Sequence, residues 1–157
     1  EIDGGPHKGT SVSENDGGFH FAWFTAGNAT GLAYTQYSRA DDTFGHREIL
    51  SEGVAKNMQT YTLRDGRIVV LWDEFVEDQQ KIGLVIKTQD GETVTQNWLG
   101  VQGAEVSFPN LVQINDDHIL LAWGENGNGR SLIMARKINL ADLLIQQDLQ
   151  IKRHNRS

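Results

Sequence analysis

The sequence predicts an all-β fold built from three four-stranded repeats, and three observations lead to this prediction. Three segments share one pattern, which is a short β-prone run, a turn centred on an Asp, an apolar run and a Trp. The tryptophans are Trp23, Trp72 and Trp123, and they lie 49 and 51 residues apart. Glycine is abundant, with 17 residues, and fits many short strands joined by tight turns. A period of about 40 to 50 residues with four strands per unit is typical of β-propeller blades.

The first repeat contains four predicted strands, at residues 10–13, 19–25, 32–38 and, more weakly, 47–50. Residues 15–18 read Asn-Asp-Gly-Gly and predict a hairpin turn, because these residue types tolerate the positive φ that tight hairpins need. Residues 39–45 are predicted to form a longer turn.

The second repeat follows the same scheme, with predicted strands at 59–63, 68–72, 81–87 and 93–99. The run 68–72 is apolar without interruption, which predicts a strand buried on both faces. Its β-branched residues and the Asp-Gly before it favour a strand over a helix. Residues 77–80 are polar and predict a solvated loop.

The third repeat has predicted strands at 111–114, 119–123 and 132–138, with a loop at 126–129. Beyond it the pattern is compatible with a helix that Asn139 caps or with a strand. We favour one turn followed by an outer strand. The chain 1–157 is then a single propeller segment with blades at about 6–53, 54–104 and 105–151, and a basic tail at 152–157.

Composition narrows the classes of function. The net charge of −7 argues against nucleic acid and anionic membranes as partners. No apolar stretch of 18 residues exists, so no membrane span is predicted. The absence of cysteine excludes disulfides, thiol catalysis and Cys-ligated zinc. Neither a cofactor nor a metal site is predicted.

Two turns carry a further motif, each between the third and fourth strand of its repeat. The residues of interest are Ser38, Asp41, Thr43 and Phe44 in the first repeat, and Thr88, Asp90, Gly91 and Thr93 in the second. They resemble the Asp boxes, Ser/Thr-x-Asp-x-Gly-x-Thr-Trp/Phe, of BNR repeats in sialidase-like β-propellers. The first lacks the glycine, the second is one residue short without the aromatic, and the third repeat has no box.

Residues 3–9 read Asp-Gly-Gly-Pro-His-Lys-Gly, and residues 23–27 read Trp-Phe-Thr-Ala-Gly. They resemble bacterial BNR-repeat proteins whose blades begin Asp-Gly-Cys-Pro-His-x-Gly and carry Trp-Phe-Thr-Gly, with Gly5 here in place of Cys. The resemblance covers nearly the whole chain and implies the C-terminal half of a larger propeller. It implies no assigned activity. A periplasmic or secreted location is compatible with it, and the compartment stays open.

Propeller geometry would gather the loops after each second strand, and those between blades, on one ligand face. That face would carry His7, Lys8, Phe24, Thr25, Lys56, Asn57, Asp73, Glu74, Glu105, Ser107, Glu125, Asn126 and Arg130. Asp73 and Glu74 are adjacent in a strand and point to opposite faces, so they make a poor acid/base pair. Glu74 with Glu105 or Glu125 of a neighbouring blade is the better candidate pair, although a solvated loop carboxylate is the plainer interpretation.

Sialidases of this family hold the substrate carboxylate with three arginines and attack with a Tyr–Glu pair, because the chemistry needs bidentate recognition and a nucleophile. Only Arg130 reaches the predicted ligand face here. Our first hypothesis is therefore a non-catalytic binding or structural module that recognises a glycan or a protein. The alternative is a sialidase-type glycoside hydrolase whose site needs further blades or a second chain.

The aromatic residues have separate expected roles. Trp23, Trp72 and Trp123 are expected in the core between blades, and Trp98 is the better candidate for stacking on a sugar. His20 lies in an apolar strand and is expected to be packed rather than catalytic.

Three blades cannot close a ring, because closed propellers use about four to eight. The apolar faces at the two ends would be exposed, and such patches mark interfaces. We therefore predict self-association, most simply a homodimer of six blades that share a channel.

Overall fold

The computed structural model describes residues 9–27, 29–127 and 129–145, together with the backbone of 148–151. Within this part the chain forms thirteen β-strands and one helical turn, so the predicted all-β class is confirmed. The strands form three sheets that follow one another along the chain, and they do not close into a barrel.

The first sheet contains β1 (Ser11–Asn15), β2 (Gly18–Ala26), β3 (Thr30–Ser38), β4 (Thr43–Phe44) and β5 (Glu48–Ser51). Its order is β1-β2-β3-β4, and β5 also pairs with β3. The predicted turn at 39–45 thus includes a two-residue strand. It forms because β3 is nine residues long and offers one part of its edge to β4 and another part to β5.

The second sheet contains β6 (Lys56–Thr62), β7 (Ile68–Val76), β8 (Gln79–Lys87) and β9 (Thr93–Val101), all antiparallel. The predicted loop at 77–80 shrinks to Glu77 and Asp78, whose φ angles are 51° and 61°. Two positive φ values give a tight two-residue hairpin, so β7 and β8 continue to its edge.

The third sheet contains β10 (Glu105–Gln113), β11 (His118–Gly127) and β12 (Arg130–Asn139). Asn139 caps the helical turn α1 (Leu140–Leu143) by accepting from the backbone N–H of Ala141 at 2.9 Å, as predicted. The predicted outer strand is present as β13 (Asp148–Ile151). It pairs in parallel with β9 of the second sheet and not with β12.

The position of β13 differs from the predicted third blade, and α1 gives the reason. The carbonyl of Leu143 accepts from Thr95 Oγ1 and Asn97 Nδ2, each at 2.8 Å. Both donors lie on β9, so the helical turn is anchored there and directs the chain to the free edge of the second sheet. The third sheet therefore has three strands in the described part of the chain, where four were predicted.

The second sheet packs between the other two, and β7 shows this by strict alternation. Val70 and Trp72 join a core with Leu32 of the first sheet, whereas Val69 and Leu71 join a core with residues of the third sheet. Burying one such aliphatic side chain contributes about 1.5–3 kcal/mol. The prediction that 68–72 is buried on both faces is confirmed, because each of these residues is fully buried.

The first strands of the three repeats lie side by side. Ser11 Oγ and Thr60 Oγ1, on β1 and β6, are 3.0 Å apart. The N–H of Gln113 on β10 donates to Tyr61 Oη on β6 at 3.0 Å. Polar bonds between residues about one repeat apart therefore fix how the consecutive sheets are placed.

Two of the three repeated tryptophans face the preceding sheet. Trp72 faces the first sheet and is fully buried, and Trp123 faces the second and is 3% exposed, so the core prediction is confirmed for both. Trp23 is only half-buried. Its neighbours Ala22 and Phe24 pack toward the second sheet, so Trp23 points outward, where the described chain places no preceding sheet.

Candidate functional site

A cleft of about 590 Å³ opens at one end of the second and third sheets. Three segments line it: residues 77–80 at the β7–β8 turn, 102–105 between β9 and β10, and 126–127 at the end of β11. Glu105 and Asn126, both predicted for the ligand face, are among them. We call this the loop-end cleft.

Asp73, another predicted ligand-face residue, turns inward and is 1% exposed. Its Oδ2 accepts from Asn57 Nδ2 at 2.7 Å and from the backbone N–H of Phe108 at 2.9 Å. Asn57 and Phe108 lie 51 residues apart in the first strands β6 and β10, with φ angles of 51° and 53°. Each lies in a register shift of its strand. One buried carboxylate thus braces two corresponding bulges.

The bulge in β10 exposes an aromatic ring three residues along the strand from Glu105, which lines the cleft. Pro109 has no N–H to donate, and the ladder shifts between Ser107 and Asn110. Phe108 is left with positive φ and its side chain is 70% exposed. A non-glycine residue in this conformation costs about 1–3 kcal/mol and is often found at functional sites. The motif-based reasoning missed Phe108, although a Phe-Pro pair within a strand was a usable signal.

Glu74 and Glu125, the two candidate catalytic carboxylates of neighbouring repeats, each accept a hydrogen bond from a buried tryptophan. Trp72 Nε1 donates to Glu74 Oε1 at 3.3 Å, and Trp123 Nε1 donates to Glu125 Oε1 at 3.0 Å. Ser51 Oγ adds a bond to Glu74 Oε1 at 2.7 Å. The two carboxylates are 5% and 3% exposed. The same bond between positions i and i+2 therefore recurs in two repeats.

The candidate pair of Glu74 and Glu125 is not assembled. Glu74 faces the first sheet, where Ser51 lies, whereas Glu125 projects from the third sheet toward the second. They therefore lie on opposite sides of the second sheet. The physical reason is the alternation of a strand, since Glu74 shares the face of Trp72 that points away from the third sheet.

Four other residues predicted for the ligand face have different positions. Glu105 is exposed, begins β10 opposite Asn126 and lines the cleft. Arg130 is exposed and begins β12. His7 and Lys8 lie outside the described residues.

Three arginines bind carboxylates at the end opposite the cleft. Arg39 pairs with Glu14, Arg67 Nε is 2.8 Å from Asp65 Oδ2, and Arg64 reaches Asp116 at 3.5 Å. The described residues that line the cleft include no arginine. They therefore do not supply the arginine cluster that a sialidase needs to hold its substrate.

The box-like turns also lie at the end opposite the cleft, between third and fourth strands as predicted. Ser38 Oγ contacts Asp41 Oδ2 and the Asp41 N–H, both at 3.4 Å. In the second turn, Thr88 Oγ1 accepts from the N–H of Glu92 at 3.1 Å, and Gly91 has a φ of 86°. These side chains stabilise turns. Asp90 lies in the second turn, whereas Phe44 and Thr93 lie in the strands β4 and β9 that follow the two turns.

A buried polar cluster joins the first two sheets at this same end. Lys87 is fully buried, and its Nζ donates to Glu48 Oε2 at 2.7 Å, Thr93 Oγ1 at 2.9 Å and the Gly91 carbonyl at 3.1 Å. It also lies 4.2 Å from the centre of the Tyr34 ring. Burial lowers the pKa of Lys87, whereas Glu48 opposes that shift.

His20 completes the cluster, since its Nδ1 is 2.6 Å from Tyr34 Oη. Burial and the charge of Lys87 lower the pKa of His20 to about 4, and burial raises the pKa of Tyr34. His20 is fully buried, as expected for a packed histidine.

Trp98 does not offer a free face for stacking. It is partly buried against the core between the first and second sheets, and its ring meets that of Trp72 edge-on, with centroids 5.5 Å apart. Phe75, directly opposite the cleft residue Gln80, is instead 60% exposed, and the exposed Phe108 lies three residues from the cleft residue Glu105.

Among the described residues, no three acidic or histidine side chains meet where they could hold a metal ion. No helix in this part of the chain has the length and apolar character to cross a membrane.

Comparison with known proteins gives no match to any family model and no significant match to a curated protein. The geometry of the fold and the cleft therefore has to support any functional assignment.

Proposed function

We propose that the chain is a non-catalytic segment of a sialidase-like, BNR-repeat β-propeller, and that its loop-end cleft binds a neutral carbohydrate. The observation that carries the non-catalytic part is the recurring bond of a buried glutamate to the indole two residues before it. Glu74 and Glu125 hold tryptophans in the core, so neither presents a free carboxylate to a sugar.

The propeller part of the proposal rests on how the sheets follow one another. Three consecutive antiparallel sheets pack face to face, and β1, β6 and β10 lie side by side. Box-like turns follow β3 and β8 at the end away from the cleft. This is the order of strands and turns expected for successive blades.

The lining of the cleft suits the hydroxyl groups of a sugar. Amide side chains of Gln80, Gln102 and Asn126 reach it, together with the carboxylate of Glu105. Gln80 Oε1 is buried and has no hydrogen-bond partner among the described residues. A buried acceptor without a partner costs about 1–3 kcal/mol, and rotation of the Gln80 amide toward a sugar hydroxyl in the cleft would remove that cost.

Two exposed rings add a surface for the apolar face of a sugar. Phe75 lies two residues beyond Asp73 on the same face of β7, and Gln80 lies directly opposite it on β8. The backbone N–H of Phe108 donates to Asp73, which fixes the point from which its ring leaves β10. An aromatic side chain has only two rotatable bonds, so it loses little conformational entropy when it packs on a ligand.

The charge of the cleft selects a neutral ligand. Glu77, Asp78 and Glu105 line it, and the described lining includes no lysine, arginine or histidine. Lys81 pairs with Glu77 at 3.3 Å, so Asp78 and Glu105 leave the cleft with a net negative charge that would repel an acidic sugar such as a sialoside. This supports a binding module for neutral glycans over a sialidase.

The test is a titration of the chain with neutral oligosaccharides of several backbone types, read by calorimetry. We expect Phe108→Ala and Gln80→Ala to weaken binding about tenfold each, from the loss of stacking or of a buried hydrogen bond. Arg67→Ala, at the opposite end, is the matched control and should bind like the wild type.

The same samples test the alternative. Release of a fluorophore from a glycoside, lost in Glu105→Gln, would replace the binding proposal with a glycoside hydrolase. Failure of every neutral oligosaccharide to bind would remove the carbohydrate proposal.

A further inference from the structure

The outer face of the first sheet is aromatic and incompletely covered. Phe19, Phe21 and Trp23 alternate onto it along β2 and are half-buried. Phe44, 64% exposed, lies 5.9 Å from the ring of Phe21 and 5.1 Å from that of Tyr37. We call this surface the Trp23 face.

The outer face of the third sheet is aliphatic. Leu121 and Trp123 point to the second sheet, so Leu120 and Ala122 point away from it. Leu120 is 36% exposed, and Val112, its partner on β10, is 46% exposed. We call this surface the Leu120 face.

The repeat makes these two faces complementary. Leu120 and Ala122 correspond to Val69 and Leu71 in the second repeat, which lie on the face that receives Trp123. Trp23 corresponds to Trp72 and Trp123, each of which packs on the preceding sheet. The packing of a tryptophan-bearing face on the preceding sheet therefore occurs twice within the molecule. One tryptophan-bearing face, the Trp23 face, and one apolar receiving face, the Leu120 face, are left without such a partner in the described part of the chain.

At the end away from the cleft, the edge of the Trp23 face carries a net negative charge and the Leu120 face a positive charge, because Arg39, which lies over the Phe19 ring, is paired with Glu14. Lys137 lies opposite Leu120 on β12, on the same outer face. The β3–β4 turn at the edge of the Trp23 face carries exposed Asp41 and Asp42. If the Trp23 face of one copy packed on the Leu120 face of another as the sheets pack within one copy, Lys137 would lie near the two aspartates.

We propose that two copies of this chain associate by packing the Trp23 face of each on the Leu120 face of the other. A two-fold axis along the shared channel makes both contacts at once and gives a closed ring of six sheets, within the range of about four to eight for propellers. This assembly goes beyond the proposed carbohydrate binding and does not depend on it.

Sedimentation velocity at increasing micromolar concentrations tests the assembly. The wild type should sediment as a dimer. Trp23→Lys and Leu120→Glu, each placing a charge in one apolar face, should each weaken the dimer about tenfold or more. Val94→Lys is the control, because Val94 is 43% exposed on β9, away from both faces.

Mixing the two variants separates loss of the interface from loss of folding. In the mixture, one contact pairs the intact Trp23 face with the intact Leu120 face, and the other pairs the new Lys with the new Glu. The mixture should therefore regain the dimer that each variant alone has lost. A wild type that stays monomeric at every concentration would overturn the proposal, as would a dimer that neither substitution weakens.

Discussion

At the scale of single residues, Lys87 shows how this fold holds a charge in its core. Its ammonium has three hydrogen-bond donors, and Glu48, Thr93 and the Gly91 carbonyl accept one each. The Tyr34 ring supplies a further favourable contact. Removing a charge from water costs several kcal/mol, and full pairing of this kind is what offsets that cost.

His20 makes stability depend on pH through the same cluster. Its pKa is about 4 in the folded chain and 6.5 when unperturbed, so the unfolded chain binds the proton more tightly. Stability is therefore fully present above about pH 6.5 and falls as the pH drops toward 4. The loss between pH 6.5 and 5 should be about 1–2 kcal/mol.

Urea melts across this pH interval check the effect, which His20→Gln should largely remove. The charged groups around the imidazole are Lys87, Glu48 and Asp90. His118→Gln is the control, because His118 is partly exposed and bonds Asn115 in a turn. An unchanged pH dependence in His20→Gln would contradict the assignment.

At the scale of elements, sequence reasoning located the strands and turns but not their full lengths. The apolar run at 68–72 predicted a buried strand, yet β7 continues to Val76 through Asp73 and Glu74. From the sequence, these two carboxylates were expected at a solvated strand end. Their partners Asn57 and Ser51 come from other strands, so the local pattern could not reveal that they are buried. The pairing of β13 with β9 is equally non-local, since it depends on the anchoring of Leu143.

A tight contact between β7 and β8 permits a second prediction. Gly83 lies directly opposite Trp72, and a Cβ at that position would overlap the indole. Gly83→Ala should destabilise the chain by about 1–3 kcal/mol through overpacking. Trp72→Ala should cost about 3–5 kcal/mol by leaving a cavity.

The double variant identifies the cause. Without the indole, the methyl group at position 83 meets no ring. The double variant should therefore lose about 1–3 kcal/mol less unfolding free energy in denaturant than the sum of the two single losses. Gly127→Ala is the control, since a Cβ there meets nothing within 4 Å. Simple additivity would mean that Gly83 matters for its backbone and not for the ring above it.

At the scale of the whole molecule, the sequence predicted which loops share one end of the sheets, but not which side chains there are exposed. The strand order placed Glu105 and Asn126 on one face, and both line the cleft. The same reasoning placed Asp73 on the ligand face, whereas its buried carboxylate accepts hydrogen bonds from Asn57 and Phe108 in the bulges of β6 and β10. The exposure of Phe108 follows from that internal bond, which a repeat pattern cannot reveal.

The stack of sheets should also unfold unevenly. The second sheet is covered on both faces, and every residue from Ile82 to Ile86 is buried. Along β12, residues 130–137 are all exposed, and its outer edge pairs with no strand in the described part of the chain. Local opening is easiest where few apolar contacts must break.

Hydrogen exchange followed by mass spectrometry checks this order. Peptides from β7 and β8 should exchange most slowly, and those from β12 should be among the fastest. If the chain also assembles as proposed, peptides covering Trp23 and Leu120 should gain protection as concentration rises, whereas those from β7 and β8 should not change. The second sheet is already covered on both sides, so added partners have nothing to bury there. Equal protection across the three sheets would contradict the central position of the second sheet.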